Sequence, residues 1–471
     1  MAVVNKFRRN ATDLDLDAAA GAGWRTVGWN PRVARVEEGE APERVKEKVD
    51  LLADRSTQDT LATSVQALDQ VMVWAAAYRR DRRTEYPVWW HRQMHAETGA
   101  TRALVRAIDW EWLSPTATRV DWVEAGRALA RMTVEREGAW ERTTARDLPL
   151  AEPSAAASVS YDYTAAGNAV AAHDIVGDVG ARRGLFDLYA PAASGDVGEV
   201  WIGIRSANKH GTPGNFINVW ECEDGVNGTN AADAADSDAS GGNRVTVTPG
   251  TATWAKRMEM YLGTVSANES DNFGDFQWLL RTMITAGTWE VQARFGCGNM
   301  ADADFIQGPI KEVDWAAYDY VELGRAPIPL RDLHCIPQAV VGDSSESAWT
   351  IQIWARRTAG AGNLYLDCLC PVPLDDGWFH AWGFDLAPST GGHLYFAESP
   401  EGIRQVVTID SSNIDGFPPF ESHNFRLPPG DGRMIIVYTG PDDSAILSYV
   451  GLSSSDAGKY TERWVNLRGG E

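Results

Sequence analysis

The sequence predicts a mainly β protein, with a small α+β N-terminal domain followed by two antiparallel β-sandwich, jelly-roll-like domains. Three observations carry this expectation. Apolar and polar side chains alternate through most of the chain, the period of strands that cover a core on one face. Only one segment, about Gln58 to Asp81, carries a convincing helical stripe. Short runs rich in Gly, Asn and Asp separate the alternating segments, as turns do between sandwich strands. At 471 residues the chain is long enough for two or three separate cores. These are drawn at 1–150, 151–330 and 331–471.

In the first domain a strand is expected near Gly23–Val36, then the helix. Leu61, Val65, Leu68, Met72 and Ala75 recur at helical spacing on one stripe. Ser56 is the expected N-cap, with Asp59 three residues on. Arg79, Arg80, Arg82 and Arg83 close the helix, where cations favour the negative end of the dipole. Strands follow at Tyr86–Met94, Thr101–Glu111 and Arg127–Arg136, and one helix on such a sheet makes a compact α+β unit. Leu148–Ser158 is a linker by composition.

The second domain alternates Val200, Ile202 and Ile204 with Trp201 and Arg205. Further on, Trp289, Val291, Ala293 and Phe295 alternate with Glu290, Gln292 and Arg294. The polar stretch Glu221–Asn243 is expected to be an exposed, mobile loop. The break RAPIPLRD, Arg325–Asp332, marks the start of the third domain. There Trp349, Ile351 and Ile353 share one face, with Thr350, Gln352 and Arg356 on the other. After a Gly-rich turn, Leu364, Leu366, Cys368 and Cys370 are in phase, opposite Tyr365 and Asp367. Further strands are expected at Arg433–Tyr438 and Ala445–Leu452.

Composition narrows the function. The net charge is −22 and falls outside residues 1–150, in which acid and base balance. An acidic shell argues against nucleic-acid phosphates as partners. Five cysteines are an odd number and too sparse for a disulfide framework, so reduced core residues and a reducing compartment fit best. The first residues lack the apolar run of a signal peptide, and no stretch is long and apolar enough for a membrane span. The 20 tryptophans suit both pleated, half-buried surfaces and protein interfaces.

Motifs for chemistry are absent. His91 and His95 have the spacing of a helical zinc pair, but YPVWWHRQM reads as strand and no HExxH accompanies it. His334 and Cys335, being adjacent, point to opposite faces of an extended chain. Asp236, Asp238, Ser240 and Gly241 resemble the start of an EF-hand loop, yet the twelfth position is Val247, not the required glutamate. No nucleophile elbow, P-loop or dinucleotide fingerprint is present. No catalytic, metal or cofactor residue is therefore assigned, although the abundant carboxylates leave a paired-acid glycosidase open. Trp220, Trp254, Trp378 and Trp382 are the aromatics placed at a glycan or subunit surface, core packing being the commoner fate of such residues.

The block TLATSVQALDQVMVWAAAYRRDRRTEYPVWWHRQM, followed by TRALVRAIDWEWL and RALARMTVEREGAWER, resembles the N-terminal domain of tailed-phage distal tail and baseplate proteins. IWARRTAGAGNLYLDCLCPVPLDDG and the closing KYTERWVNLRGG are similar to sandwich segments of phage tail proteins. The resemblance implies a structural virion protein without enzymatic activity or cofactor. Its N-terminal domain would close a trimeric or hexameric ring, binding tail tube and tip or fibre proteins. Its sandwiches would project as a galectin-like or carbohydrate-binding-like periphery that meets host-surface glycan. It would be assembled in host cytoplasm and act in the virion tail. The alternatives are a glycan-binding adhesion protein, another tail- or capsid-associated protein, and a glycan-cleaving enzyme on a sandwich scaffold.

Overall fold

The computed structural model describes residues 5–18, 22–29, 44–55, 57–81, 86–92, 101–113, 126–143, 146–147, 168–175, 179–190, 197–206, 219–250, 252–262, 273–297, 300–328, 349–386, 392–398, 405–410, 419–423, 430–439 and 459–464. Among them the fold is mainly β, built from antiparallel sheets and one long helix. His95, His210, His334 and Cys335, the linker Leu148–Ser158 and the strand expected at Ala445–Leu452 lie outside the described residues.

The N-terminal module wraps a sheet around the helix Gln58–Arg80. Sheet order runs Thr12–Asp15, Asn5–Arg9, Val88–Arg92, Thr101–Trp112, Arg127–Arg136, Val45–Asp54, Trp24–Trp29. The strand Thr101–Trp112 serves three partners: its first residues pair with Val88–Arg92 and with Trp140–Arg142, and the rest with Arg127–Arg136. A register break between Val105 and Ala107 lies at the changeover. Leu61, Leu68, Val71 and Ala75 of the helix enter one core with Phe7, Trp24, Leu51, Trp90, Met132 and Trp140. The helix starts at Gln58 as expected, but its N-cap is one residue later than the expected Ser56. Thr57 is the N-cap, and its hydroxyl accepts from the Thr60 N–H while the Thr60 side chain caps back. Ser56 falls outside the described residues. Glu47 and Arg136 form a fully buried ion pair, and Trp29 Nε1 donates to Glu47 at 2.6 Å.

The strands beyond residue 160 do not follow the boundary drawn at 330. Residues 220–373 build one sandwich, inserted in another. Its inner sheet orders Ala231–Ala235, Asn243–Val247, Leu364–Pro373, Gly274–Ile284 and Asp319–Ile328. Its outer sheet orders Val226–Asn227, Ala255–Tyr261, Trp349–Ala359, Thr288–Cys297 and Ile306–Val313. Trp349–Ala359 and Leu364–Pro373, expected in the third domain, are therefore central strands of the second. The alternation of a strand marks which face is buried but not which strand lies beside it. The host sandwich is made from both flanks. One of its sheets orders Asn168–Ile175, Gly430–Thr439, Val197–Ser206, Trp378–Leu386 and Phe420–His423. Val179–Ala190, Gly392–Glu398 and Gln405–Asp410 make another ladder, which Lys459–Trp464 joins to the N-terminal strands Trp140–Arg142 and Arg146–Asp147.

Glu221–Asn243 is not a loose loop. It holds a 3-10 turn at Cys222–Asp224, the strand Val226–Asn227 and a hairpin arm at Ala231–Ala235. The hairpin turn folds over the inner sheet and seals it. The Ser240 N–H donates to Asp367 Oδ1 at 2.8 Å, and Arg281 donates to the Asp238 carbonyl at 3.1 Å. Asp367, expected on an exposed face, is fully buried against Arg281. Burial, helped by the nearby Glu221, pushes the Asp367 carboxyl up to about 7 against the opposing pull of Arg281 and the Ser240 N–H.

Insert and host meet where Leu364–Pro373 turns into Trp378–Leu386. The Ile204 N–H donates to the Gly377 carbonyl at 2.9 Å, and the Ser206 N–H to Asp376 Oδ2 at 2.7 Å. Gly203 permits the approach, for a Cβ there would stand 2.5 Å from the Pro373 carbonyl oxygen. Trp201, Trp378, Ile435 and Val437 of the host consequently share one core with Trp278, Leu323 and Val372 of the insert. Gly203→Ala is expected to cost about 1–3 kcal/mol by overpacking this corner. Denaturant unfolding of the variant beside wild type measures the loss, and an unchanged midpoint would contradict the assigned contact.

Candidate functional site

The outer sheet of the insert packs one face on the core and carries polar side chains on the other, where Gln352, Gln292 and Glu259 are buried and Ile310 is exposed. Met258, Met260, Val291, Ala293, Ile351, Ile353 and Ala355 turn to the core. Between them the chain places polar side chains on the opposite face, in rungs set by the strand register. Lys256, Trp354, Gln292 and Ile310 make one rung. Glu259, Gln352 and Arg294 make the next, and Arg356 with Glu290 flanks the first.

Hydrogen bonds fix these side chains in place. Trp354 Nε1 donates to Gln352 Oε1 at 2.9 Å, and Gln352 Nε2 donates to Asp302 Oδ1, also at 2.9 Å. Lys256 Nζ donates to Glu259 Oε2 at 2.6 Å and lies 3.4 Å from Asp302 Oδ1. Arg294 reaches the Asp302 carbonyl at 3.3 Å, and its guanidinium sits 3.8 Å from the Trp354 ring centre. Arg356 Nε donates to Glu290 at 2.5 Å, with the guanidinium 5.1 Å from the Trp254 ring. Burial alone would lower the Lys256 pKa, but Glu259 and Asp302 outweigh it and raise it. Burial lowers that of Arg294 against the smaller pull of Asp302. Gln352 is 1% exposed whereas Asp302 and Ile310 stand open. The face thus combines a fixed floor with an accessible rim.

The four tryptophans singled out from the sequence part company. Trp254 lies beside Arg356 at the end of this face. Trp220 pairs on the edge of the inner sheet opposite Leu369 and packs against the core. Trp378 is 8% exposed and lies beneath Arg325, 4.5 Å away, at the junction of insert and host. Trp382 is half-buried and stacks on His380 at 4.6 Å. Trp354, Gln352, Arg294 and Asp302 were not singled out. The signal for the first was present: Trp354 continues the face of Thr350, Gln352 and Arg356. Asp302 comes from a connection that no alternation marks.

Two other titratable places stand out. His91 is buried in the strand Val88–Arg92, and burial together with the charges of Arg102, Arg8 and Lys6 pushes it down to about 4, so it is neutral at pH 7. Beside the sealed inner sheet, Glu221, Asp367 and Cys368 bring ligand-type atoms within 4.8 Å. Arg281 already neutralises Asp367 there, and Asp236 is held by Arg244 and Tyr318. The described cysteines, Cys222, Cys297, Cys368 and Cys370, are all buried. Burial and the neighbouring Glu221, Asp224 and Asp233 push Glu223 up to about 7.

No protein-family model matches the sequence, and no curated protein matches it. Among solved structures, a GH26-CBM35 β-(1,4)-mannanase from Podospora anserina is similar over 33% of this chain and 27% of its own, at 10% identity and TM-score 0.21. The chain thus spans about a quarter of that enzyme's length. TmCBM61, solved with β-1,4-galactotriose, is similar over 32% of this chain and 85% of its own, at 9% identity and TM-score 0.18. The CBM22-1 xylan-binding domain of Paenibacillus barcinonensis Xyn10C is similar over 42% and 97%, at 9% identity and TM-score 0.19.

The raised Glu223 sets a pH dependence. Between its ordinary value of 4.5 and about 7, the folded chain holds a proton that the unfolded chain releases, so stability falls as pH rises through that window. Glu223→Gln is expected to flatten this part of the profile and to stabilise the protein above pH 7. Glu223 is half-buried, with one carboxylate oxygen shielded from solvent, and with screening the gain is expected to be on the order of 1 kcal/mol. Thermal unfolding at pH 5 and pH 8 checks the sign.

Proposed function

We propose that this chain is a glycan-binding β-sandwich protein without catalytic activity, and that the polar face of the outer sheet is where it binds. The observation that carries the reading is Trp354, held on a polar floor of Gln352, Arg294, Lys256, Glu259 and Asp302. A sugar ring offers apolar C–H faces and a rim of hydroxyls. An aromatic plane suits the first, while amide, carboxylate and guanidinium groups satisfy the second without any proton transfer. Glu259 and Glu290 are each engaged by a cation. A hydrolase needs instead two carboxyls facing each other across a cleft. Trp354→Ala in the full chain is expected to lower retention on a glycan array at least about tenfold, with Trp254→Ala acting less strongly. Wild-type protein retained by no glycan, or a Trp354→Ala variant that binds like wild type, would remove this reading.

A second reading, a ring-forming subunit of a phage tail, is favoured by the surface of the N-terminal module. Asp69 on the helix accepts from Trp110 Nε1 at 2.9 Å, Trp112 packs edge-on at 5.0 Å from Trp110, and Val73 lies one turn along the helix from Asp69. Val73 is 59% exposed and Trp112 37%, a strip that makes sense against a neighbour. The two readings are compatible, since a ring subunit can carry glycan-binding sandwiches. Light scattering is expected to give a trimer or hexamer for wild type and a monomer for the Val73→Asp, Trp112→Ser double variant. A monomeric wild type at every concentration tried would sink the ring.

A further inference from the structure

At the junction of the two sandwiches, Glu199 and His380 of the host meet Glu322 of the insert. Glu199 and His380 lie on the neighbouring strands Val197–Ser206 and Trp378–Leu386, and Glu322 on Asp319–Ile328. His380 Nε2 is 2.6 Å from Glu199 Oε1 and 4.0 Å from Glu322 Oε1. We infer that these three side chains form a binding site for a first-row divalent cation, zinc foremost, that braces the insert against the host.

The geometry fits the ion. With zinc–nitrogen and zinc–oxygen bonds near 2.1 Å, tetrahedral ligand atoms stand about 3.4 Å apart. The two observed separations, 2.6 and 4.0 Å, bracket that distance, so small side-chain rotations suffice. The donor set of one imidazole and two carboxylates suits zinc or manganese better than calcium, which takes oxygen ligands. Three protein ligands leave a position open to water.

The surroundings hold the ligands in place. The His380 ring lies flat between two tryptophans, 3.7 Å from Trp201 with an interplanar angle of 9°, and 4.6 Å from Trp382. It cannot swing away without breaking both stacks. Trp201 Nε1 donates to Glu199 Oε1 at 3.0 Å, and Lys311 Nζ holds Glu322 Oε2 at 3.2 Å, leaving Oε1 toward His380. Such outer hydrogen bonds orient metal ligands. The side chains of His380, Glu199 and Glu322 are 12%, 25% and 29% exposed, so an ion arrives from solvent without unfolding. The acidic excess of the chain draws cations toward it.

The test uses the full chain, stripped with a chelator and titrated with zinc chloride by calorimetry. One tight site is expected, weakened at least about tenfold by Glu322→Gln. That variant leaves the stacked His380 untouched, and its metal-free unfolding midpoint should match wild type. Cobalt(II) should give the visible bands of a four- or five-coordinate nitrogen–oxygen site. A thiolate-to-cobalt charge-transfer band would assign the ion to the cysteines and overturn the proposal. So would zinc binding that Glu322→Gln leaves intact, calcium binding tighter than zinc, or no binding at about 1 mM zinc. Glycan retention is read separately, so the loss of either idea leaves the other standing.

Discussion

The contact on which the arrangement of the two sandwiches depends is the approach of Val197–Ser206 to the corner that follows Pro373. Gly203 lies against the Pro373 carbonyl, and two further backbone N–H groups of the same strand, those of Ile204 and Ser206, are taken by Gly377 and Asp376. A strand that spends its N–H groups on the corner cannot slide along it. The host sheet is thus registered against the insert by hydrogen bonds as well as by apolar packing. Trp201 and Trp378 are swallowed into the shared core, whereas their sequence context suits an exposed sheet face equally well. The same corner brings Glu199 and His380 under Glu322, so the polar cluster at the junction is a consequence of the chain path.

The strand faces and the helix were legible in the sequence for a local reason: alternation and the helical stripe are properties of neighbouring residues. Arg127–Arg136 and the two faces of Trp349–Ala359 follow directly from it. What escaped was non-local. Asp367 alternates with buried Leu366 and Cys368, so a single-sheet reading exposes it. It is buried because a hairpin more than a hundred residues earlier in the chain folds over it and supplies the Ser240 N–H. Composition made that hairpin look unstructured, since Gly, Ala and Asp favour turns. Its order comes from long-range partners, among them Arg281, Tyr318 and Asp367. The boundary at 330 failed in the same way: an inserted domain leaves its closing strands far along the chain, and period two says nothing of partners.

Of the proposed binding face, part was within reach of the sequence. Trp354, Gln352 and Arg356 share a face by simple alternation, as do Gln292 and Arg294 one strand away. That these two strands are neighbours, and that Asp302 arrives to tie Gln352 and Arg294 together, required the fold. The distinction matters for recognition. An isolated polar strand face is a set of mobile side chains, each losing rotamer entropy when it engages a ligand. The bonds among Trp354, Gln352, Asp302 and Lys256 lower that entropy loss in advance, which separates a binding floor from an ordinary solvated surface.

The closing strand Lys459–Trp464 adds a further constraint. It pairs with Val179–Ala190 on one side and with Trp140–Arg142 and Arg146–Asp147 on the other. The N-terminal module and the host sandwich therefore share a hydrogen-bonded ladder in addition to the linker in sequence. A ladder of backbone hydrogen bonds resists bending. If copies of the N-terminal module associate through the strip at Val73 and Trp112, the shared ladder passes their arrangement to the host, and the Gly203 corner passes it on to the insert. The outer-sheet faces of all copies would then be displayed at set positions. Sites held at fixed spacing gain by avidity when that spacing matches the target, and lose the gain when it does not. An oligomer built this way would select among surfaces by the spacing of their sugars as well as by their chemistry.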